Sequence, residues 1–236
     1  MPVLLLAQGD TQAKDLLRKA IQARYGLRPP ALESLLINFK GRARAKIGPV
    51  NMWVPVEAVG RFIFPDKMRW DFTVKAVGVQ LNSGTEAYDG TVYRTTRRSK
   101  SAVASDDKQQ IDSMQRRLWA IAAVMLTPLG EYFVKLKATT GNELEASNTR
   151  IDSAVTLHLR ADQTLNYVET YCQNPDSGKA EMFTLRLSDE LISYGDLILP
   201  TKISAFWNNE SFFEIEPMDA AANPTIADSV FELASE

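Results

Sequence analysis

The chain has 236 residues, of which 45% are hydrophobic and 24% charged, and its formal net charge is −2. These values are ordinary for a globular protein, and the nearly neutral net charge gives no general attraction to nucleic acid, so no nucleic-acid partner is expected. The chain holds one histidine, His158, and one cysteine, Cys172, which excludes an internal disulfide and every multi-histidine metal site. We therefore expect neither a metal nor a cofactor.

Residues 1–9 combine an apolar run with a polar end. Leu4 to Ala7 is followed by Gln8 and Gly9, an arrangement similar to the end of a signal peptide whose upstream part is missing. The same stretch is equally typical of a disordered N-terminus. No stretch reaches the roughly 18 apolar residues that a membrane helix requires. We expect residues 10–236 to form a single domain.

An amphipathic helix is predicted over residues 10–25, with Asp10 or Thr11 as its cap and Gly26 at its end. Strict alternation then predicts a strand over residues 37–47, with an apolar face and a basic face. The basic face carries Lys40, Arg42, Arg44 and Lys46, which we call the basic ladder. Such a row usually solvates a strand and protects an edge, although it could also contact phosphates or lipid headgroups.

Residues 56–74 predict a β-hairpin that turns at Pro65 and Asp66. Its apolar face grades from small residues, Ala58 and Gly60, to large aromatic ones. This grading is typical of a strongly coiled sheet with room at one end and an apolar wall at the other. The candidate ligand-binding residues of this hairpin are Phe62, Phe64, Trp70 and Phe72.

A second helix is predicted over residues 107–126, after a polar connection. Its C-terminal half is apolar on all sides and must therefore be covered on most of them. Two compatible interpretations are a core helix inside a concave sheet and a movable cover over a hydrophobic cavity, and we favour the second. The candidate cavity residues of this helix are Leu118, Trp119, Ile121 and Met125.

From Glu131 onward, short strands separated by turn residues predict an antiparallel sheet. We interpret His158 as an exposed residue on the polar face of its strand. Cys172 is interpreted as a small packing residue, because no general base can be placed beside it. The closing segment, residues 223–231, is predicted to tuck Ile226, Val230 and Phe231 onto the sheet.

The order of these features resembles the LolA-like superfamily, whose fold is that of periplasmic carriers of outer-membrane lipoproteins. The resemblance spans nearly the whole chain and includes the hairpin through Pro65 and Trp70, the inserted helix, the sequence LPTKI at 199–203 and NPTIADSVFEL at 223–233. It implies a mainly β fold with a few helices: an antiparallel, strongly curved, unclosed β-barrel, or half-barrel, whose open side the helices cover. It also implies a periplasmic or otherwise extracytoplasmic location.

The chain departs from the superfamily at one position. The lipoprotein carriers resembled here have an arginine directly before the proline that ends an early strand, whereas this chain has Phe64 before Pro65. The resemblance ties that arginine to the handing over of lipoprotein cargo. The departure therefore disfavours that specific role and leaves the carriage of a hydrophobic ligand intact.

The aromatic wall needs a cover, because exposed apolar area costs about 25 cal/mol per Å². Either the helix at 107–126 or a bound acyl chain must supply it, and a carrier would use the two in exchange. The alternative is a permanently filled core without a ligand.

Three function classes follow. We expect a soluble, monomeric carrier or binding protein for a lipid or the acyl chains of a lipoprotein, with a membrane-associated donor or acceptor as a further partner. The alternative is an envelope sensor or scaffold that regulates signalling through a protein partner bound at the basic ladder or at residues 94–100. A hydrolase using Asp106 and Asp107, or Glu214 and Glu216, is the least favoured class, because such carboxylates are usually solvated.

Overall fold

The computed structural model describes residues 5–47, 50–76, 79–97, 101–139 and 141–233. The strands of the first half are β1 (Gln8–Gly9), β2 (Ser34–Ile47), β3 (Val50–Ile63), β4 (Lys67–Ala76), β5 (Val79–Tyr88), β6 (Tyr93–Arg97) and β7 (Val103–Ser105). Those of the second half are β8 (Val134–Ala138), β9 (Glu143–Asn148), β10 (Ser153–Leu159), β11 (Leu165–Gln173), β12 (Ala180–Leu187), β13 (Leu191–Tyr194), β14 (Leu197–Pro200), β15 (Ile203–Trp207) and β16 (Glu210–Ala222). The helices are α1 (Thr11–Tyr25) and α2 (Lys108–Met125), with short 3-10 helices at Thr127–Gly130 and Asp228–Val230.

Fourteen of these strands form one sheet in the order β1-β8-β9-β10-β11-β12-β15-β16-β2-β3-β4-β5-β6-β7, and β13 and β14 form a separate hairpin. Apart from the parallel pair of β1 and β8, the neighbours in this order are antiparallel. Within the described residues the two ends of the order are not paired with each other, so the sheet is not closed. The predicted fold class, an unclosed antiparallel barrel with helices, is confirmed.

Local signals fix both helices where the sequence predicted them. The Asp10 carboxylate accepts a hydrogen bond of 2.7 Å from the backbone N–H of Ala13, and α1 ends at Gly26, whose φ is +65°. The Asp107 carboxylate accepts a bond of 2.8 Å from the N–H of Gln109 at the start of α2. No described helix has the length and hydropathy needed to cross a membrane.

The two halves of the sheet approach each other closely where β16 pairs with β2. Gly41 of β2 lies so close to β16 that a Cβ atom there would be 2.0 Å from the carbonyl oxygen of Glu214. The register of the same strand pair also shifts between Pro217 and Asp219. A glycine and a bulge therefore let β16, near the chain's end, wrap against β2, near its beginning.

The helices pack inside this coiled sheet. Helix α2 lies against β10 and β11, and the indole N–H of its buried Trp119 donates a 2.9 Å hydrogen bond to the carbonyl of Ala146 on β9. The guanidinium of Arg24 on α1 donates to the carbonyl of Val124, and burial lowers the pKa of Arg24. The Tyr25 hydroxyl donates a 3.1 Å bond to the carbonyl of Met125, so α1 satisfies two of the last carbonyls of α2.

Both ends of the described chain are tied to the sheet. Ala7 is buried, its backbone N–H donates to the carbonyl of Gly130, and Gln8–Gly9 pairs with β8. Residues 1–4 lie outside the described residues, and the origin of residues 1–9 in a signal peptide stays a prediction. Near the other end Phe231 is fully buried, as predicted, whereas Ile226 and Val230, predicted to pack with it, are half-buried.

Candidate functional site

The inner face of β3 and β4 carries the predicted aromatic residues. Phe62 is fully buried, whereas Trp70 and Phe72 of β4 and Phe64, which follows β3, are only half-buried. The Trp70 ring centroid lies 6.4 Å from that of Phe62, and the rings of Phe62 and Phe64 stack at 6.0 Å. These four residues form one continuous surface, which we call the aromatic wall.

Two glycines make room for the rings of the aromatic wall. Gly60 stands opposite Trp70 in the β3–β4 register, and a Cβ atom there would lie 2.6 Å from the Phe62 ring. Gly84 stands opposite Phe72, and a Cβ atom there would lie 2.5 Å from its ring. The rings therefore lie across the neighbouring strands, which explains the grading from small to large residues in the sequence.

The predicted residues of α2 divide into two groups. Leu118, Trp119 and Met125 are 0%, 0% and 2% exposed, so they are core residues in this structure rather than the lining of an open cavity. Their burial follows from the packing of α2 on β10 and β11 and from the Trp119 hydrogen bond to β9. Ile121 is half-buried, as is Ile111, about three turns earlier on the same helix. The core interpretation therefore describes most of α2 in this structure.

Two polar contacts join α2 to β5, and sequence reasoning missed both. The Arg117 guanidinium lies 3.3 Å from the carboxylate of Glu86, and the Gln115 amide donates a 2.9 Å hydrogen bond to the hydroxyl of Tyr88. Glu86 stands opposite Trp70 in the β4–β5 register, on the same face as the aromatic wall. We call these two contacts the latch. The alternation of β5 was the one available signal, because positions 86 and 88 share a face.

The surroundings of the latch shift the pKa values of Arg117 and of the nearby Tyr93. Burial alone would lower the pKa of Arg117, but the charge of Glu86 and the phenol of Tyr93 outweigh this, and the pKa of Arg117 is raised. Burial, together with Glu86, raises the pKa of Tyr93. At neutral pH Arg117 is therefore charged and Tyr93 is neutral. The Arg117 Nε is buried without a hydrogen-bond partner among the described residues.

The candidate catalytic carboxylates of β16 make ion pairs. The Glu214 carboxylate lies 2.8 Å from Arg42 and 3.2 Å from Lys202, and Glu216 lies 3.7 Å from Lys40. Although burial opposes it, hydrogen bonding to Arg42 and Lys202 lowers the pKa of Glu214. These contacts give both carboxylates a role in joining β16 to β2, and they neutralise half of the basic ladder.

Two of the other candidates for a partner-binding or catalytic role, Arg94 and Asp107, are also engaged. Arg94 lies 2.6 Å from Asp89, and residues 98–100 of the predicted basic segment lie outside the described residues. Asp107 caps α2. The side chain of Lys46, at the end of the basic ladder, is likewise outside the described part of the chain.

The structure corrects the interpretation of His158 as an exposed residue. Its side chain is only 14% exposed, it stacks on Tyr167 at 4.0 Å, and its ring nitrogens lie 3.3 Å from Glu143 and 3.0 Å from Glu169. Residues of the two neighbouring strands shield the His158 ring from water, and the sequence does not reveal which strands these are. Cys172 is buried, and burial raises the pKa of its thiol, in agreement with a packing role.

None of the eight predicted ligand-binding residues lines either of two clefts on the surface of the described residues. The larger, about 500 Å³, lies between the start of α2 and β11, beside Arg116 and Tyr171. The smaller, about 330 Å³, lies over Gly41, between Lys40 and Lys75. Both are lined largely by polar or charged side chains, unlike the aromatic wall.

The comparisons with known proteins concern the fold. No family model matches the sequence, and neither does any curated protein. Among solved structures, a domain described as an outer membrane lipoprotein-sorting protein from Vibrio parahaemolyticus is similar with a TM-score of 0.51 and 11% identity, covering 93% of this chain and 97% of that one. A LolA superfamily protein from Nitrosomonas europaea gives 0.51 and 14%, covering 93% and 96%.

A third similar structure is a DUF1329 family protein from Desulfovibrio piger, with a TM-score of 0.50 and 9% identity, covering 94% of this chain and 96% of that one. All three likenesses extend over nearly the whole of both chains, which excludes a match to a single hairpin or helix. At these identities they establish the fold alone. The protein therefore has the LolA-like fold that its sequence resembled.

Proposed function

We propose that this protein is an extracytoplasmic carrier or binding protein for a hydrophobic ligand, either a lipid or the acyl chains of a lipidated protein. The observation that carries the proposal is the half-buried state of Phe64, Trp70 and Phe72, which stand together on the inner face of the sheet. The shared fold with a structure described as a lipoprotein-sorting domain supports it.

Acyl chains suit the aromatic wall energetically. Each CH₂ group that leaves water gains about 0.8 kcal/mol. The four residues of the aromatic wall are uncharged, and the charge of the neighbouring Glu86 is matched by Arg117. Two or three acyl chains laid on this surface would therefore gain more free energy than the packing of one half-buried helix face.

The ligand reaches the wall by exchange with α2. In the structure α2 is packed firmly on β10 and β11, whereas its connection to β5 includes the two polar contacts of the latch. Opening the latch would separate α2 from the β5 side and uncover the wall, while the contacts of α2 with β10 and β11 are kept. The polar residues that precede α2, Asp106 and Asp107, give the helix a solvated N-terminal connection.

Lipid extraction and native mass spectrometry of the purified protein test this proposal, together with titration by a fluorescent fatty acid. The decisive variant is Trp70→Ala, and its control is Trp53→Ala, a half-buried tryptophan on the opposite face of the adjacent strand. We expect the wild type and Trp53→Ala to bind alike and Trp70→Ala to bind about tenfold more weakly, as the loss of one aromatic contact implies. Absence of both co-purifying lipid and fatty-acid binding in the wild type would contradict the proposal.

The alternative of a sensor with a protein partner has less support. Lys40 and Arg42, two members of the basic ladder, are paired with carboxylates of β16, which lowers the net positive charge that the ladder presents to a partner. A pull-down from envelope extract with the ladder charges reversed separates the two functions. An unchanged set of captured proteins would remove the sensor hypothesis.

A further inference from the structure

Aromatic residues surround the Glu86 carboxylate on the inner face of the sheet. Trp70 stands opposite Glu86 in the β4–β5 register, and the ring of Phe72 lies over the glycine two residues before it on β5. Tyr88, two residues after Glu86, shares its face and pairs with Tyr93 of β6. We call Glu86 and these four residues the acidic aromatic cluster. Aromatic rings and a carboxylate both attract positive charge, so this cluster is suited to hold a cation.

A cation of the protein itself occupies the acidic aromatic cluster. The Arg117 guanidinium of α2 lies 3.3 Å from the Glu86 carboxylate, and the phenol of Tyr93 lies beside both charges. The contact is longer than the roughly 2.7–2.9 Å of a good charge-assisted hydrogen bond. The Arg117 Nε is also buried without a hydrogen-bond partner among the described residues. Arg117 therefore matches the cluster in charge but leaves part of its hydrogen-bonding capacity unused.

Glu86 and Arg117 fare differently when α2 leaves β5. The long side chain of Arg117 moves away with the helix and can place its charged end in water. Glu86 has a shorter side chain and lies on β5, which β4 and β6 hold on both sides, so it stays beneath the bound acyl chains. A carboxylate that hydrocarbon covers is strongly destabilised unless a positive charge pairs with it.

The two basic residues of β6 do not neutralise Glu86. Arg94 stands opposite Ala87, on the other face of the sheet, and pairs with Asp89 at 2.6 Å. Arg97 is exposed and makes no ion pair with Glu86 in the described part of the chain. The positive charge beside Glu86 therefore has to come from α2 or from the ligand.

We infer that the ligand is an amphiphile with an ammonium group, a primary amine or a quaternary ammonium, which replaces the Arg117 guanidinium beside Glu86. Its acyl chains lie on the aromatic wall, and its ammonium group lies in the acidic aromatic cluster. This inference rests on the proposed function and adds the class of headgroup to it. Because the ammonium group competes with Arg117 for one carboxylate, binding of the ligand itself favours the open latch.

Titration at neutral pH with two fluorescent probes of equal chain length, a fatty acid and a primary alkylamine, tests the inference. The variant Glu86→Gln removes the charge and nearly keeps the shape of the side chain. Its control, Glu57→Gln, removes the same charge from the outer face of β3, where Glu57 pairs with Lys75 at 2.6 Å. The readout is the ratio of two affinities measured on one protein, so a smaller folded fraction does not change it.

We expect the wild type and Glu57→Gln to bind the alkylamine at least about tenfold more tightly than the fatty acid, and Glu86→Gln to bind the two probes alike. Equal affinities in the wild type would overturn the inference and leave the carrier standing. A preference that persists in Glu86→Gln, or that Glu57→Gln also loses, would overturn it as well. Failure of both probes to bind the wild type would instead refute the carrier, and the inference with it.

Discussion

The guanidinium of Arg117 on α2 lies 3.3 Å from the carboxylate of Glu86 on β5, on the inner face of the sheet and beside Trp70. Both side chains are largely shielded from water, with 16% and 23% exposure. Two charges in such a place cost desolvation, which their mutual attraction offsets only while both are present. The pair therefore holds α2 to the β5 side of the half-barrel, and losing one member leaves the other poorly solvated.

Single removal of either charge is expected to destabilise the protein. Glu86→Ala and Arg117→Ala should each lower the free energy of unfolding by about 2 kcal/mol, and the double variant should lose less than the sum. Urea unfolding of the four proteins measures this. Arg116→Ala, which removes a helix-surface pair with Asp112, should cost about 0.5 kcal/mol or less. Additive losses for Glu86 and Arg117 would show that the pair is not coupled.

The same pair is expected to control access to the aromatic wall. If α2 has to leave β5 before a ligand binds, Glu86→Gln should increase the association rate of a fluorescent fatty acid, because the latch is weaker. Stopped-flow fluorescence measures the rate, and Arg116→Ala should leave it unchanged. An association rate that is the same in all three proteins would mean that the ligand enters without opening the latch.

A methyl group at Gly84 is expected to disturb the wall directly. Its Cβ atom would lie 2.5 Å from Phe72 Cζ and 2.8 Å from the carbonyl oxygen of Thr96, and the backbone oxygen cannot move away. Gly84→Ala should therefore cost about 1–3 kcal/mol, the usual range for an overpacked site. Thermal unfolding checks this, with Ser83→Ala in the same strand as the control. Equal melting temperatures for the two variants would contradict the tight packing of Phe72 on Gly84.

Asp89 is expected to make stability depend on acid pH. Although burial opposes it, hydrogen bonds from Val92 and Arg94 lower the pKa of Asp89 in the folded protein. A carboxyl of this kind stabilises the fold fully above its unfolded pKa of about 3.9, and the contribution is lost as the pH falls through the lower folded value. The wild type should thus lose stability below about pH 4 more steeply than Asp89→Asn. Parallel pH profiles in urea unfolding would argue against this role.

Cys172 is expected to react slowly with thiol reagents in the folded protein. It is 4% exposed, and burial raises the pKa of its thiol, so little thiolate is present at neutral pH. Labelling with iodoacetamide at pH 7.5 should be at least about tenfold slower than in urea. A native rate close to the unfolded rate would show that the cleft beside β11 admits reagents.

The features that the sequence predicted are those with local signals. Asp10, Gly26 and Asp107 mark helix ends through their own hydrogen-bonding and backbone preferences. The alternation around Trp70 and Phe72 fixed which side chains share a face, because the side-chain period of a strand is two. The order of these elements resembles the LolA-like superfamily, and the fold class followed from that resemblance.

The features that escaped prediction depend on pairing between distant strands. Phe213 of β16 stands opposite Ala43 of β2, and nothing in either segment identifies the other. The periodicity of α2 does not indicate which half of the sheet covers it. Trp119, predicted to line a ligand cavity, lies in the core of this structure. In the same way, the position of Glu86 on the inner face could be predicted only with the β4–β5 register, which the sequence does not reveal.

Photo-crosslinking with a diazirine fatty acid tests the central claim most directly, because it reports where an acyl chain lies. The account predicts modified peptides from β3 and β4, with label at Phe64, Trp70, Phe72 or Val74, and about tenfold less label in Trp70→Ala. Label confined to the outer face around Trp53, or no label that excess unlabelled fatty acid removes, would contradict it.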